Sequence, residues 1–185
     1  MRCCLNSADV ILFSGGAIGA ESCFGENAEK YGIDEVNFSF EGHQTARTRG
    51  IRILNHEELK QGDVSQTYVS TLMHRSYPNS PIIKKVLQTI WFQVNSSQEI
   101  FVIGTILSDK TVKGGTGWGA EFAKLCNKTI YVFDQDKNNW FKWDGTNWVE
   151  YPEPIITNVH FAGTGTRNLA ENGKKAIEDL FKRSF

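Results

Sequence analysis

Three glycine-rich segments constrain this chain more than any other feature, because each lies between a short apolar run and a helical pattern. The first is Ser14-Gly15-Gly16-Ala17-Ile18-Gly19-Ala20-Glu21-Ser22, which follows the run Val10 to Phe13. The second is Lys113-Gly114-Gly115-Thr116-Gly117-Trp118-Gly119-Ala120-Glu121, with four glycines in six residues. The third is Ala162-Gly163-Thr164-Gly165-Thr166-Arg167-Asn168. Glycine admits positive φ and lets a backbone approach a ligand closely. A helix starting at such a loop turns its first N–H groups and its positive dipole end toward it, which suits phosphate. A tight turn with no ligand would use the same residues. In a parallel sheet, however, loops of this kind all fall on one edge, where open α/β sheets bind ligands.

The apolar runs support such a sheet. Val10 to Phe13, Val36 to Phe40, Ile100 to Ile103, Ile130 to Phe133 and Val159 to Ala162 are strand-length, bounded by turn residues and mostly rich in β-branched or aromatic side chains. Ile51 to Leu54 adds a sixth candidate. Between them, Phe24, Ala28 and Tyr31 share a helical face that Gly32 is placed to end. Ser80-Pro81 reads as a helix start, followed at helical spacing by Ile82, Ile83, Val86, Leu87, Ile90, Trp91 and Val94. Leu169, Ala176, Ile177, Leu180 and Phe181 repeat the pattern in a last helix. The expected fold is a single α/β, Rossmann-like domain over residues 1–185, with a mainly parallel sheet of five or six strands and helices on both faces. The aromatic alternation from Asn139 to Tyr151 around Asp144-Gly145 predicts a tryptophan-rich β-hairpin, taken as an appendage over about 138–151. Its tryptophans would form a base or sugar platform, cap a sheet edge or pack on a partner subunit.

Composition removes several function classes. A net charge of −1, from 20 basic and 21 acidic residues, argues against wholesale coating of nucleic acid. No apolar run approaches the length of a membrane helix, and none of signal-peptide length precedes Ser14, so a cytoplasmic setting is expected. Cys3, Cys4, Cys23 and Cys126 form no CxxC pair and no metal-like spacing with the histidines, so free thiols and no metal are expected. No cofactor is expected either.

The loops narrow the chemistry further. The first is not a P-loop, since no Gly-Lys-Ser/Thr follows. The third begins like a GxGxxG fingerprint, but Asn168 replaces its third glycine, which argues against a dinucleotide oxidoreductase. Arg167 is suited to clamp a phosphate, as is Arg75 beside the predicted start of the long apolar helix. Arg47, Arg49, His43 and Tyr77 are further candidates, although Arg47 and Arg49 fit a solvated loop equally well. Glu121 is expected in the first turn of its helix. There it would complement the dipole, accept hydrogen bonds from ribose hydroxyls, or act as a base or nucleophile. The expected ligand-binding set is Ser14, Gly15, Gly16, Gly19, Glu21, Arg75, Gly114, Gly115, Thr116, Gly117, Glu121, Gly165, Thr166 and Arg167.

These motifs resemble those of the SLOG superfamily, the Rossmann-like group that includes the DNA-processing protein A and the Lonely Guy phosphoribohydrolases. Ser14 to Glu21 looks like its SGGAxGxD motif, with Glu21 in place of the usual Asp. Gly114 to Glu121 is similar to the GGxGTxxE motif of the Lonely Guy branch, with Trp118 replacing the second threonine. That branch's catalytic arginine motif is not recognisable. Across the whole chain the likeness is to small bacterial and phage proteins of this type. In such proteins a strand ending in a Gly-Ser-Arg-like loop comes first, whereas here the matching unit, with Gly165-Thr166-Arg167, comes last. A circular permutation is therefore expected, with the last strand beside the first.

The resemblance implies a phosphate-bearing, nucleotide-derived ligand, of ADP-ribose or cyclic-nucleotide type. The first expectation is a sensor or a phage-like sponge that sequesters such a signal without cleaving it. The alternatives are a nucleotide N-glycosidase or phosphoribohydrolase using Glu121, and a single-stranded DNA binder. A homo-oligomer is expected, burying the tryptophan hairpin or the Trp91-Phe92 face, with no membrane partner.

Overall fold

The computed structural model describes residues 5–185, so Cys3 and Cys4 lie outside the described residues. In chain order the elements are β1 (Ile11–Ser14), α1 (Ala20–Lys30), β2 (Asp34–Phe40), β3 (Ile51–Leu54), α2 (His56–Lys60), α3 (Asp63–Leu72) and α4 (Pro81–Asn95). There follow β4 (Glu99–Gly104), α5 (Thr116–Leu125), β5 (Thr129–Asp134), β6 (Asn139–Trp143), β7 (Trp148–Glu150), β8 (His160–Gly165) and α6 (Glu171–Ser184). The eight strands form one sheet in the order β3-β2-β1-β8-β4-β5-β6-β7. The first six in that order run parallel, β6 pairs antiparallel with β5, and β7 pairs antiparallel with β6.

Side-chain alternation along the central strands shows how both faces are covered. On β4, Phe101 and Ile103 enter the cluster built by α1 and α6, while Ile100 and Val102 enter the cluster built by α3, α4 and α5. Tyr131 and Phe133 on β5 divide from Ile130 and Val132 in the same way. Two-sided burial is why these strands read as continuous apolar runs rather than alternating ones. The chain is a single Rossmann-like α/β domain, and no described helix is long and apolar enough to cross a membrane.

β8, the last strand, is inserted between β1 and β4. It pairs with β1 through Ile11–His160, and with β4 through Glu99–Phe161. It therefore lies beside the first strand.

Several expectations need correction. The tryptophan hairpin is no appendage, because β6 pairs with β5 and extends the main sheet. Trp140 is buried against Phe101 and Phe133, and Trp143 and Trp148 pack on the α5 side. Ile82 and Ile83 do not join the core stripe of α4, being 65% and 53% exposed on its first turn. The Trp91-Phe92 face is covered within the chain, by Phe38, Phe40 and Leu59. Glu121 lies in the second turn of α5, because that helix begins at Thr116 and absorbs much of the presumed loop. The helices α2 and α3 carry no strong apolar stripe, yet α2 opens with a reciprocal Asn55–Glu58 capping box.

Candidate functional site

β1 delivers the first glycine loop to the carboxyl edge of the sheet, where Ser14 Oγ donates to the carbonyl of Gly163 on β8 at 2.7 Å. Gly19 then turns at φ +99°, and a Cβ there would lie 2.6 Å from the carbonyl oxygens of both Thr166 and Arg167. Only glycine fits. The next N–H, of Ala20, donates to the Thr166 carbonyl at 3.0 Å, so the first and third loops form one unit.

Glu21 fastens that unit from beneath. Its carboxylate accepts from the Ala17 N–H at 3.0 Å and from the Thr164 hydroxyl at 2.9 Å. Burial pushes its carboxyl pKa above the ordinary value, against the opposing pull of those hydrogen bonds and of the Arg167 charge. Two further early N–H groups are used as well, Ser22 donating to Ala17 and Cys23 to Gly19. The expectation of an open N–H cluster on α1 is therefore corrected. The loop's own Glu21 and carbonyls fill most of that end.

The second loop is built differently. Gly114 and Gly115 are exposed, and no atom lies within 4 Å of where a Cβ on either would stand. The N–H groups of Gly115 and Thr116 have no partner among the described residues. Gly117, by contrast, is pressed against the Val112 carbonyl and the Arg75 guanidinium. Arg75 donates to the carbonyls of Val112 and Gly114, each at 3.1 Å, and to Thr111 Oγ1 at 2.8 Å. It braces the loop, and it forms no ion pair among the described residues.

Glu121 is held apart from these groups. Its carboxylate pairs with Lys124 at 2.6 Å, and the Lys124 ammonium lies 4.0 Å and 4.8 Å from the ring centres of Trp143 and Trp148. Burial lowers the Lys124 pKa, with Glu121 opposing the shift. Glu121, Lys124 and the hairpin thus form a latch that fixes β6 and β7 on α5.

The third loop completes the edge. Gly165 lies against the Ile103 carbonyl and the Ala20 side chain, and the Thr166 N–H donates to Ile103 at 2.9 Å. Arg167 emerges exposed, with no ion pair among the described residues.

Beside the first and third loops opens a cleft of about 600 Å³, bounded by Ala17, Ile18, the segment 42–46, Ile82, Val86 and Arg167. No carboxylate lines it. The segment 42–46 is fixed by Arg47, which pairs with Glu29 and with buried Glu35, and whose N–H donates to the Gly16 carbonyl at 3.2 Å. Arg49 donates to the Ile33 carbonyl at 3.0 Å. The Tyr77 hydroxyl donates to Asp63 at 3.1 Å, and burial, with the Asp63 charge adding to it, raises the Tyr77 pKa. These candidates serve as struts, while Arg167 and His43 face the cleft.

Sequence reasoning missed two groups. Asn37 and Gln93 are buried beneath Gly16 and Gly15, and their Oδ1 and Oε1 atoms have no partner among the described residues. The Asn37 signal was a polar side chain inside the apolar run Val36 to Phe40. Gln93 carried none, since one polar residue in a long helix is ordinary. Ile18 and Ile82 also went unread as site residues, because apolar residues point first to a core.

Comparison with family models, with curated proteins and with solved structures finds no match to this chain.

Proposed function

We propose that the protein binds a phosphate-bearing, nucleotide-derived ligand, of ADP-ribose or cyclic-nucleotide type, and holds it without cleaving it. One observation carries this reading. The locked first and third glycine loops border a cleft free of carboxylates, into which Arg167 brings a cation that forms no ion pair among the described residues. The cleft lies on the carboxyl edge over β2, β1 and β8, beside the point where β1 and its helix leave toward one side and β4 and its helix toward the other. Such switch points are the habitual ligand sites of open α/β sheets, and a cleft of this size suits a nucleotide. The exposed Gly114-Gly115 turn, with the free N–H groups of Gly115 and Thr116 and the nearby Arg75 charge, offers a second anion locus on the same edge.

A hydrolase would need a free acid or base at the ligand. Glu121 is committed to Lys124, and Glu21 is committed to the loop. The aromatic residues that would serve a single-stranded DNA binder are packed on their own domain. Sequestration or sensing of a small signal therefore fits better than either alternative. The test is to incubate the protein with a nucleotide-rich extract, repurify it, release ligand by heating and identify it by mass spectrometry. An intact phosphate-bearing nucleotide is expected. Recovery of nothing, or only of a base-free product, would overturn the reading.

A further inference from the structure

The segment 42–46, one wall of the cleft, is held firmly at one end and lightly along the rest. At the firm end the N–H groups of Ala46 and Arg47 both donate to the Gly16 carbonyl, at 2.8 Å and 3.2 Å. The Arg47 guanidinium adds its pairs with Glu29 and buried Glu35. At the other end the chain leaves β2 through a turn in which the His43 N–H donates to the Phe40 carbonyl at 3.0 Å and Gly42 stands at φ +82°. Between these points no backbone hydrogen bond among the described residues holds Gln44 or Thr45. The side chain that fastens this stretch is that of His43.

The ring of His43 stacks on Phe40 with centroids 4.5 Å apart and planes within 14°, and its Nδ1 is hydrogen-bonded to Ser39 Oγ at 3.0 Å. Its Nε2 is shielded from solvent and has no partner among the described residues. A neutral ring bears this at modest cost. An imidazolium donates from both nitrogens, so a proton would leave a charged N–H at Nε2 with neither water nor an acceptor. The surrounding charges give no relief. Arg167, from the third loop, acts on the ring with the same sign. On α4, the Lys85 ammonium lies 5.5 Å from the centre of the Phe40 ring, and Lys84 is turned to Asp63. Glu41, on the segment itself, lines the neighbouring pocket with Lys85 and His56. From the first loop the cleft takes only Ala17 and Ile18. Stacking on Phe40 favours a cation, but burial first and Arg167 second hold the His43 pKa below its ordinary 6.5.

We propose that the stretch 41–45 is a proton-sensitive gate on the cleft, closed while His43 is neutral and swung away from Phe40 and Arg167 when Nε2 takes up a proton. Ala46 and Arg47 keep their hold on Gly16, so the motion is local. What the gate retains rests on the nucleotide-binding reading above; the gate adds when the ligand is retained. A neutral His43 contributes fully to closure above about pH 6.5, its ordinary value. That contribution is lost as pH falls from there through the lower value of the closed form. Since the open ring titrates at its ordinary value, the open population at about pH 5 rises by about thirtyfold at most. A ligand held at neutral pH is let go in mild acid.

The experiment is amide hydrogen exchange of the full chain by NMR, without ligand, between about pH 7 and about pH 5. The His43 amide, whose bond to Phe40 the gate breaks, should lose protection in acid, while that of Val102 inside β4 keeps it. His43→Phe retains the stack on Phe40 and removes the titration, so the acid-induced loss should vanish. Arg167→Ala removes the facing charge and should shrink it. Constant protection of the His43 amide in wild type, or the same acid-induced loss in His43→Phe, overturns the gate. Calorimetry with ADP-ribose, whose diphosphate does not titrate in this range, reads the consequence. Its affinity should fall with acid in wild type and stay level in His43→Phe. If exchange shows the gate but ADP-ribose binds at neither pH, the gate stands and the nucleotide reading falls. If ADP-ribose binds equally at both and exchange shows no change, the gate falls and the nucleotide reading stands.

Discussion

The hydroxyl of Thr164 donates to the carboxylate of Glu21 at 2.9 Å, joining the last strand to the first helix across 143 positions of sequence. The other oxygen of that carboxylate accepts from the Ala17 N–H. One buried acid thus shapes the first glycine loop and ties it to the third.

That burial makes stability depend on pH in a defined direction. The folded-state pKa of Glu21 lies above its ordinary 4.5, so the protonated form favours folding. Its contribution is complete below that ordinary value and is lost as pH rises through the raised one. Glu21→Gln removes the titration. The stability of wild type relative to this variant should therefore decline as pH rises above the ordinary 4.5 and through the raised folded-state value. Urea unfolding of both proteins across that range measures it, and a flat difference would show that Glu21 does not titrate as a buried acid.

Two glycines should respond in opposite ways to the same methyl group. Gly19→Ala places a Cβ 2.6 Å from two carbonyl oxygens at φ +99°, and should destabilise by about 2–4 kcal/mol. Gly115→Ala meets nothing within 4 Å at φ −62°, and should change stability by less than about 1 kcal/mol. Equal effects in chemical denaturation would contradict the packing of the first loop on the third.

Arg47 holds the cleft's outer segment through a carboxylate whose side chain is 0% exposed, that of Glu35. Arg47→Met leaves that charge with the Asn37 amide at 3.1 Å and Arg49 at 3.8 Å, and should cost about 3–5 kcal/mol. Lys175→Met breaks an exposed pair with Asp179 and should cost less than about 0.5 kcal/mol. Similar melting losses in the two variants would refute a buried role for Glu35.

Glu121 is expected to behave as a structural acid. Glu121→Gln leaves the Lys124 ammonium with a weaker partner between two indoles, at about 1–3 kcal/mol in stability. Neither wild type nor the variant should release base from ADP-ribose or AMP on prolonged incubation, followed by chromatography. Base release at a catalytic rate that vanishes in the variant would reinstate the hydrolase.

The sequence by itself determined the elements. Strands such as Ile100 to Ile103 are too apolar to lie anywhere but in a two-sided sheet, and Ser80-Pro81 and Gly32 mark helix ends through local backbone chemistry. The glycine loops were legible for the same reason, since positive φ is a property of the residue. What each loop touches was not. Glu21 and Glu121 look alike in sequence, each in a helix following a run of glycines. Only the sheet order, which inserts β8 between β1 and β4, brings Thr164 to the first. Only the hairpin folding back on α5 brings its tryptophans to the Lys124 that holds the second. Ile82 read as part of an apolar stripe because apolarity is local, whereas burial depends on what the rest of the chain places above a side chain. Tertiary structure placed nothing there but a cleft.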